Sequence, residues 1–210
     1  MAQNRNQGQF GRAGMALATA ARRDRYKSVM FSSVTGGGGT TSAIYNVGRV
    51  LTEDLGIKTL AIEINRGRPS WCREFKLDAS RSLAAMASGD VGPRECVQPD
   101  GGGLAYLPAG DFQAGGRPLD VVLCQAVQEL QNDFEMILLD VPPVLDSADV
   151  LLAGRIVPRV VLVVESGNVP HQLLSRAQRQ LDSASITVVG AILNRQKPMM
   201  PAWLERWLTR

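Results

Sequence analysis

Of 210 residues one is a histidine, His171, and three are cysteines, Cys72, Cys96 and Cys124. The cysteines are odd in number and far apart, with no CxxC pair. That sets aside a disulfide framework and fits a reducing compartment. His171 has no His or Cys neighbour at metal-ligand spacing, so it reads as a surface or capping residue rather than a ligand. Aromatics make up 5% of the chain and net charge is only +3. No basic stripe is interleaved with aromatics, and no nucleic-acid partner is expected. No apolar run approaches the ~20 residues of a membrane span. The N-terminal stretch "MAQNRNQGQFGRAGMALATAARRDR" has no apolar core of the kind a signal peptide needs.

What is present is a regular alternation. Short runs rich in Val, Ile and Leu cover residues 28–34, 59–64, 104–107, 136–140, 160–165 and 187–193. They show little polar alternation, as strands buried on both faces do. Between them, helical patterns cover 41–55, 80–87, 119–131, 147–153 and 172–182. Strand and helix in alternation predict an α/β fold, a mostly parallel sheet flanked by helices. Residues 90–116, rich in glycine and proline, read as loop around a short strand, and "DGGG" at 100–103 as a surface turn. The spacing divides the chain into a polar arm with a short helix near 13–22 (residues 1–26), one domain (27–197) and an amphipathic tail (198–210).

In such a sheet, ligands sit beyond the carboxyl ends of the strands. The first strand runs into Gly36, Gly37, Gly38, Gly39, Thr40 and Thr41, followed by a helix. Glycines let backbone N–H groups converge on an anion, and the helix N-terminus adds positive potential. A phosphate loop also carries a lysine for the β- and γ-phosphates and a Ser/Thr for Mg²⁺. Here Gly39 stands where the lysine belongs, and Thr40 where the hydroxyl belongs. Asp140 ends a strongly apolar strand before Pro142 and Pro143, in the position of a Mg²⁺-directed Walker B carboxylate. Glu63 ends another strand, as either a water or metal contact or a solvated rim residue. Asp146 and Asp149 follow; one of them is expected to cap the next helix, and Asp149 is also a candidate to face the site. Asn194 leaves the last strand with an amide suited to an adenine edge, or to a turn.

These segments resemble the cytoplasmic domain of bacterial tyrosine autokinases of the capsule and exopolysaccharide type, in the MinD/ParA-like, deviant-Walker branch of P-loop NTPase-like proteins. The resemblance runs from about residue 27 to 196. "MILLDVPPVLDSADVLLAG" is similar to the family's Walker B segment, with Val141 in place of its threonine. "AGDFQAGGRPLDVVL" is similar to the loop and helix before it. "INRGRPS" is similar to the end of the A′ motif, and "VVGAILNR" to the last strand, with Asn194 at the adenine-contacting position.

The departures fall on the chemistry. The family loop reads GEGKST and this one GGGGTT. The two A′ aspartates are Glu63 and Asn65, and Gly67 replaces one of the adjoining arginines. No tyrosine cluster and no N-terminal ExxRxxR segment is found. The resemblance therefore implies a catalytically degenerate, pseudokinase-like member, a regulator or adaptor in exopolysaccharide biosynthesis or export. It further implies a cytoplasmic site at the periphery of the inner membrane, and an inner-membrane polysaccharide co-polymerase of the chain-length-determinant type as partner, with oligomers allowed. No cofactor is expected; ATP or ADP with Mg²⁺, held by Thr40 and Asp140, is the alternative kept open. One competing expectation is an ATPase or kinase with a relocated cation, from Lys58, Arg66 or Arg68. The other is a MinD/ParA-like positioning protein acting through its tail. There Trp203, Leu204, Trp207 and Leu208 fall on one face of a short helix. That face either packs on the domain or docks on a partner or membrane.

Overall fold

The computed structural model describes residues 2–89 and 91–194, with side chains from residue 8. The strands are β1 (Ser28–Ser33), β2 (Thr59–Glu63), β3 (Gln98–Pro99), β4 (Leu104–Leu107), β5 (Met136–Asp140), β6 (Arg159–Glu165) and β7 (Thr187–Asn194). They form one sheet in the order β3-β4-β2-β5-β1-β6-β7, parallel except for β3. All six expected strands are present. The two-residue β3 is additional and pairs with β4 through the turn that contains Gly101–Gly103.

Apolar residues on both faces of β1, β2, β4, β5 and β6 explain the layering, whereas β7, expected to be buried on both faces, is an edge strand that is largely exposed. Leu60, Ile62, Ile137 and Leu139 point to one side; Ala61, Met136 and Leu138 point to the other. The first face packs on α4 (Leu83–Ser88), α6 (Leu119–Leu130), α7 (Asp149–Gly154) and α8 (His171–Ser183), beside the short α5 (Pro93–Cys96). The second packs on α1 (Ala2–Asp24), α2 (Thr40–Arg49) and α3 (Trp71–Glu74). A π-helical turn, Val50–Asp54, continues α2.

The N-terminal segment differs from the expected arm with a short helix: α1 is one helix of 23 residues. Phe10, Leu17, Ala18 and Ala21 bury one face of it against β1 and α2. Gly14 sets the approach to α2, because a Cβ there would stand 2.6 Å from Val50 Cγ1. Polar residues and three glycines disguise this face in the sequence. Among the described residues no helix is long and apolar enough to cross a membrane. The tail residues Trp203, Leu204, Trp207 and Leu208 lie outside the described residues.

Candidate functional site

The Gly36–Gly39 loop joins β1 to α2 and, with the carboxyl ends of β2 and β5, lines a cavity of about 720 Å³. Glu63 and Asp140 are register partners at those strand ends, so both expected carboxylates meet there. Gly36–Gly39, Thr40 and Thr41 all line the same cavity.

Gly39 is the N-cap of α2 in the left-handed region, φ 79° and ψ 33°. A side chain there is strained, since L-residues meet a Cβ–carbonyl clash in that region. A Cβ would also run into the Asn194 side-chain amide. Asn194 is buried, and its Nδ2 donates to the Gly38 carbonyl at 3.0 Å. The residue placed at the adenine edge by resemblance is thus turned onto the loop, filling the volume where a lysine would begin. At the other end of the loop, the Gly36 N–H donates to Asp146 Oδ2 at 3.0 Å. Neither Asp146 nor Asp149 caps α7 through its side chain: the N-cap is Ala148, with no side-chain hydrogen bond.

Asp140 is buried and accepts from the Thr41 hydroxyl at 2.7 Å. The hydroxyl on this carboxylate therefore comes from Thr41, not from Thr40, the expected Mg²⁺ ligand. Burial pushes the Asp140 carboxyl up to about 7; the Thr41 hydrogen bond opposes this and the nearby Glu63 charge adds to it. Burial thus favours the neutral carboxyl, so that Mg²⁺ binding here would have to displace a proton.

Glu63 is neither a rim residue nor a free acceptor. It is fully buried. Its Oε1 accepts from the amides of Ser70 (2.7 Å) and Trp71 (3.3 Å), and its Oε2 from the amide of Ala109 (3.1 Å). Burial raises its carboxyl above the usual range, against the lowering effect of these three amides. The side chain works as a strut that ties β2 to α3 and to the segment after β4. Trp71 is locked edge-on against Phe75 and Tyr106, with centroids 5.6 and 5.8 Å apart, which fixes the amides that Glu63 receives. Its buried indole N–H is directed toward the Asp140 carboxyl, which it helps to lower, without reaching full hydrogen-bond geometry. These aromatic supports carry no sequence signal of their own; Ser70 and Trp71 simply follow an "RGRP" turn.

The three candidate cations separate. Lys58 precedes β2, at the opposite end of the sheet, with its ammonium over the Phe134 ring at 5.1 Å. It cannot serve the loop. Arg66 is held by Asp149, Nη2 to Oδ1 at 2.5 Å. Arg68 lines the cavity and makes no ion pair among the described residues. Five acidic residues line the same cavity, Glu63, Glu74, Asp140, Asp146 and Asp149. Among the described residues no cluster of His, Cys, Asp and Glu is arranged to hold a metal ion.

No protein-family model matches the chain. A tyrosine-protein kinase of Bacillus subtilis, YwqD, is 26% identical over 176 residues, 81% of this chain and 73% of its own length. The kinase domain of the Escherichia coli tyrosine kinase ETK superposes with a TM-score of 0.75 at 19% identity, covering 91% of this chain and 79% of its own. Cobyrinic acid a,c-diamide synthase of Mycobacterium smegmatis, solved with a bound ATP analogue and magnesium, superposes at 0.68 with 19% identity, covering 87% and 80%. The P-loop NTPase-like fold and the resemblance to bacterial tyrosine kinases are both borne out.

Proposed function

Starting from a domain with the fold of the bacterial tyrosine kinases, we propose that this chain has left phosphoryl transfer and acts as a regulator or adaptor in exopolysaccharide assembly or export. The reading places it on the cytoplasmic side of the inner membrane, against the cytoplasmic segments of a polysaccharide co-polymerase. The observation that carries it is Gly39. Phosphoryl transfer depends on charge placed around the transferred group. At the lysine position this chain has a left-handed glycine with the Asn194 amide packed over it. Lys58 is out of reach and Arg66 is neutralised by Asp149, so neither substitutes. Glu63, spent on three backbone amides, is not available to orient water.

The test is MgATP turnover and tyrosine phosphorylation by the purified chain, alone and with the cytoplasmic segments of an inner-membrane polysaccharide co-polymerase from the same organism. The expected result is turnover no higher than that of Asp140→Asn, together with stable association with those segments. Mg²⁺-dependent hydrolysis that Asp140→Asn abolishes overturns it. That outcome is the second reading, a nucleotide enzyme with non-standard residues. Arg68 in the cavity and the Thr41–Asp140 hydrogen bond favour it.

A further inference from the structure

The loop that would receive a phosphate is already in contact with a negative group. Asp146 Oδ2 accepts the Gly36 N–H at 3.0 Å and is the one heavy atom near the place where a Gly36 Cβ would stand, at 3.6 Å. This placement is built into the backbone. The Val144 and Leu145 amides donate to the carbonyls of Ser33 and Val34, at 2.8 and 3.3 Å. The Asp146 amide closes a turn onto the Pro143 carbonyl at 3.1 Å. The segment after β5 is thereby stitched to the end of β1, and its carboxylate is delivered to the first glycine of the loop. The bland role, helix capping, is not the one it plays, because α7 begins three residues later without it.

We propose that Asp146 is the resident anion of the glycine loop and the residue that decides against free diphosphate groups as ligands of this cavity. The inference rests on the reading of the site as released from phosphoryl transfer, and specifies how the remaining loop is kept from anions. Glu63, Glu74, Asp140 and Asp149 line the same cavity as Asp146, and Arg68 is the lining cation. An incoming diphosphate meets an occupied amide and a like charge, with no lysine to offset either. Removing the Asp146 carboxylate frees the Gly36 N–H and subtracts one negative charge, while Asp146 itself is solvent-exposed, so its truncation leaves the core intact.

Calorimetric titration with MgADP and with magnesium pyrophosphate, at one fixed ionic strength, tests this in the full chain, in Asp146→Ala and in Asp146→Asn. The expected result is weak or undetectable binding by the wild type and a gain of about tenfold or more in Asp146→Ala, the size of one charge-assisted hydrogen bond. Asp146→Asn, which keeps an acceptor but not the charge, falls between them. A merely structural Asp146 changes thermal stability and leaves diphosphate affinity alone. Equal affinity in the three proteins overturns the proposal, as does the absence of heat from all three. ATP turnover by the wild type overturns the adaptor reading instead, whatever Asp146→Ala does.

Discussion

At the scale of the residue, Gly39 and Asn194 belong together. A reverting substitution, Gly39→Lys, meets two obstacles: a left-handed backbone and the Asn194 amide. The left-handed backbone alone costs about 1–2 kcal/mol. We therefore expect Gly39→Lys to lower stability by at least that much in urea unfolding, with no gain in ATP hydrolysis. Asn194→Gly introduced into Gly39→Lys returns part of the lost stability, since it removes the second obstacle only. Restored turnover in the single variant would show that the loop rearranges freely and that the missing lysine is its one defect. Asp140 and Glu63 were legible in the sequence as strand-end carboxylates, because each closes an apolar run at the sheet end where ligands sit. Their partners were not legible. The amides of Ser70, Trp71 and Ala109 converge on Glu63 through tertiary packing, and nothing in "INRGRPSW" announces it. Asp146 was visible as an acid after the Pro142–Pro143 pair, yet local spacing pointed to a helix cap rather than back to the loop.

At the scale of the element, the strands were readable and α1 only in part: its second half, near 13–22, was expected as helix and its first half as a polar arm. β1, β2, β5 and β6 are continuous apolar runs buried on both faces, a pattern that length and composition separate from helix. α1 carries Gly8, Gly11 and Gly14 and a polar start, which local propensity scores against a helix. Tertiary contact overrides that score, because Gly14 is what lets α1 lie close to the α2 continuation at Val50. Gly14→Val is expected to force the two apart, at a cost of about 1–3 kcal/mol for overpacking. Val50→Ala in the same chain removes the Cγ1 contact but keeps the Cβ at 3.0 Å, and recovers part of it. Thermal melts of the two single variants and the double variant read this directly; a double variant no better than Gly14→Val alone would place the defect in helix propensity instead. β3 escaped notice because two residues have no period to detect.

At the scale of the whole molecule, buried acids couple folding to pH. The Asp140 carboxyl, ordinarily near 3.8, is pushed up to about 7 in the folded chain by burial. The native state thus holds a proton that the unfolded chain releases, and stability falls as pH rises from about 4 through about 7. Burial raises Glu63 in the same direction. Asp140→Asn, which stays neutral throughout, is expected to be more stable than the wild type at pH 8 by about 2–4 kcal/mol and nearly equal to it at pH 4. Melting temperatures of both proteins across pH 4–8 measure it. A constant difference across that range would mean that Asp140 stays ionised in the fold.

The bond from Asn194 to the Gly38 carbonyl joins the last strand to a loop 156 positions earlier in the chain. During synthesis, Gly36–Gly39 leaves the ribosome early, whereas its latch is the final residue of β7. Contacts this far apart in sequence close late. Once the segment after β5 has formed, Asp146 ties the Gly36 end of the loop, but the Gly38–Gly39 end keeps its glycine freedom until β7 docks beside β6. The shape of the glycine loop at Gly38–Gly39 is thus completed only by the most distal strand of the described chain.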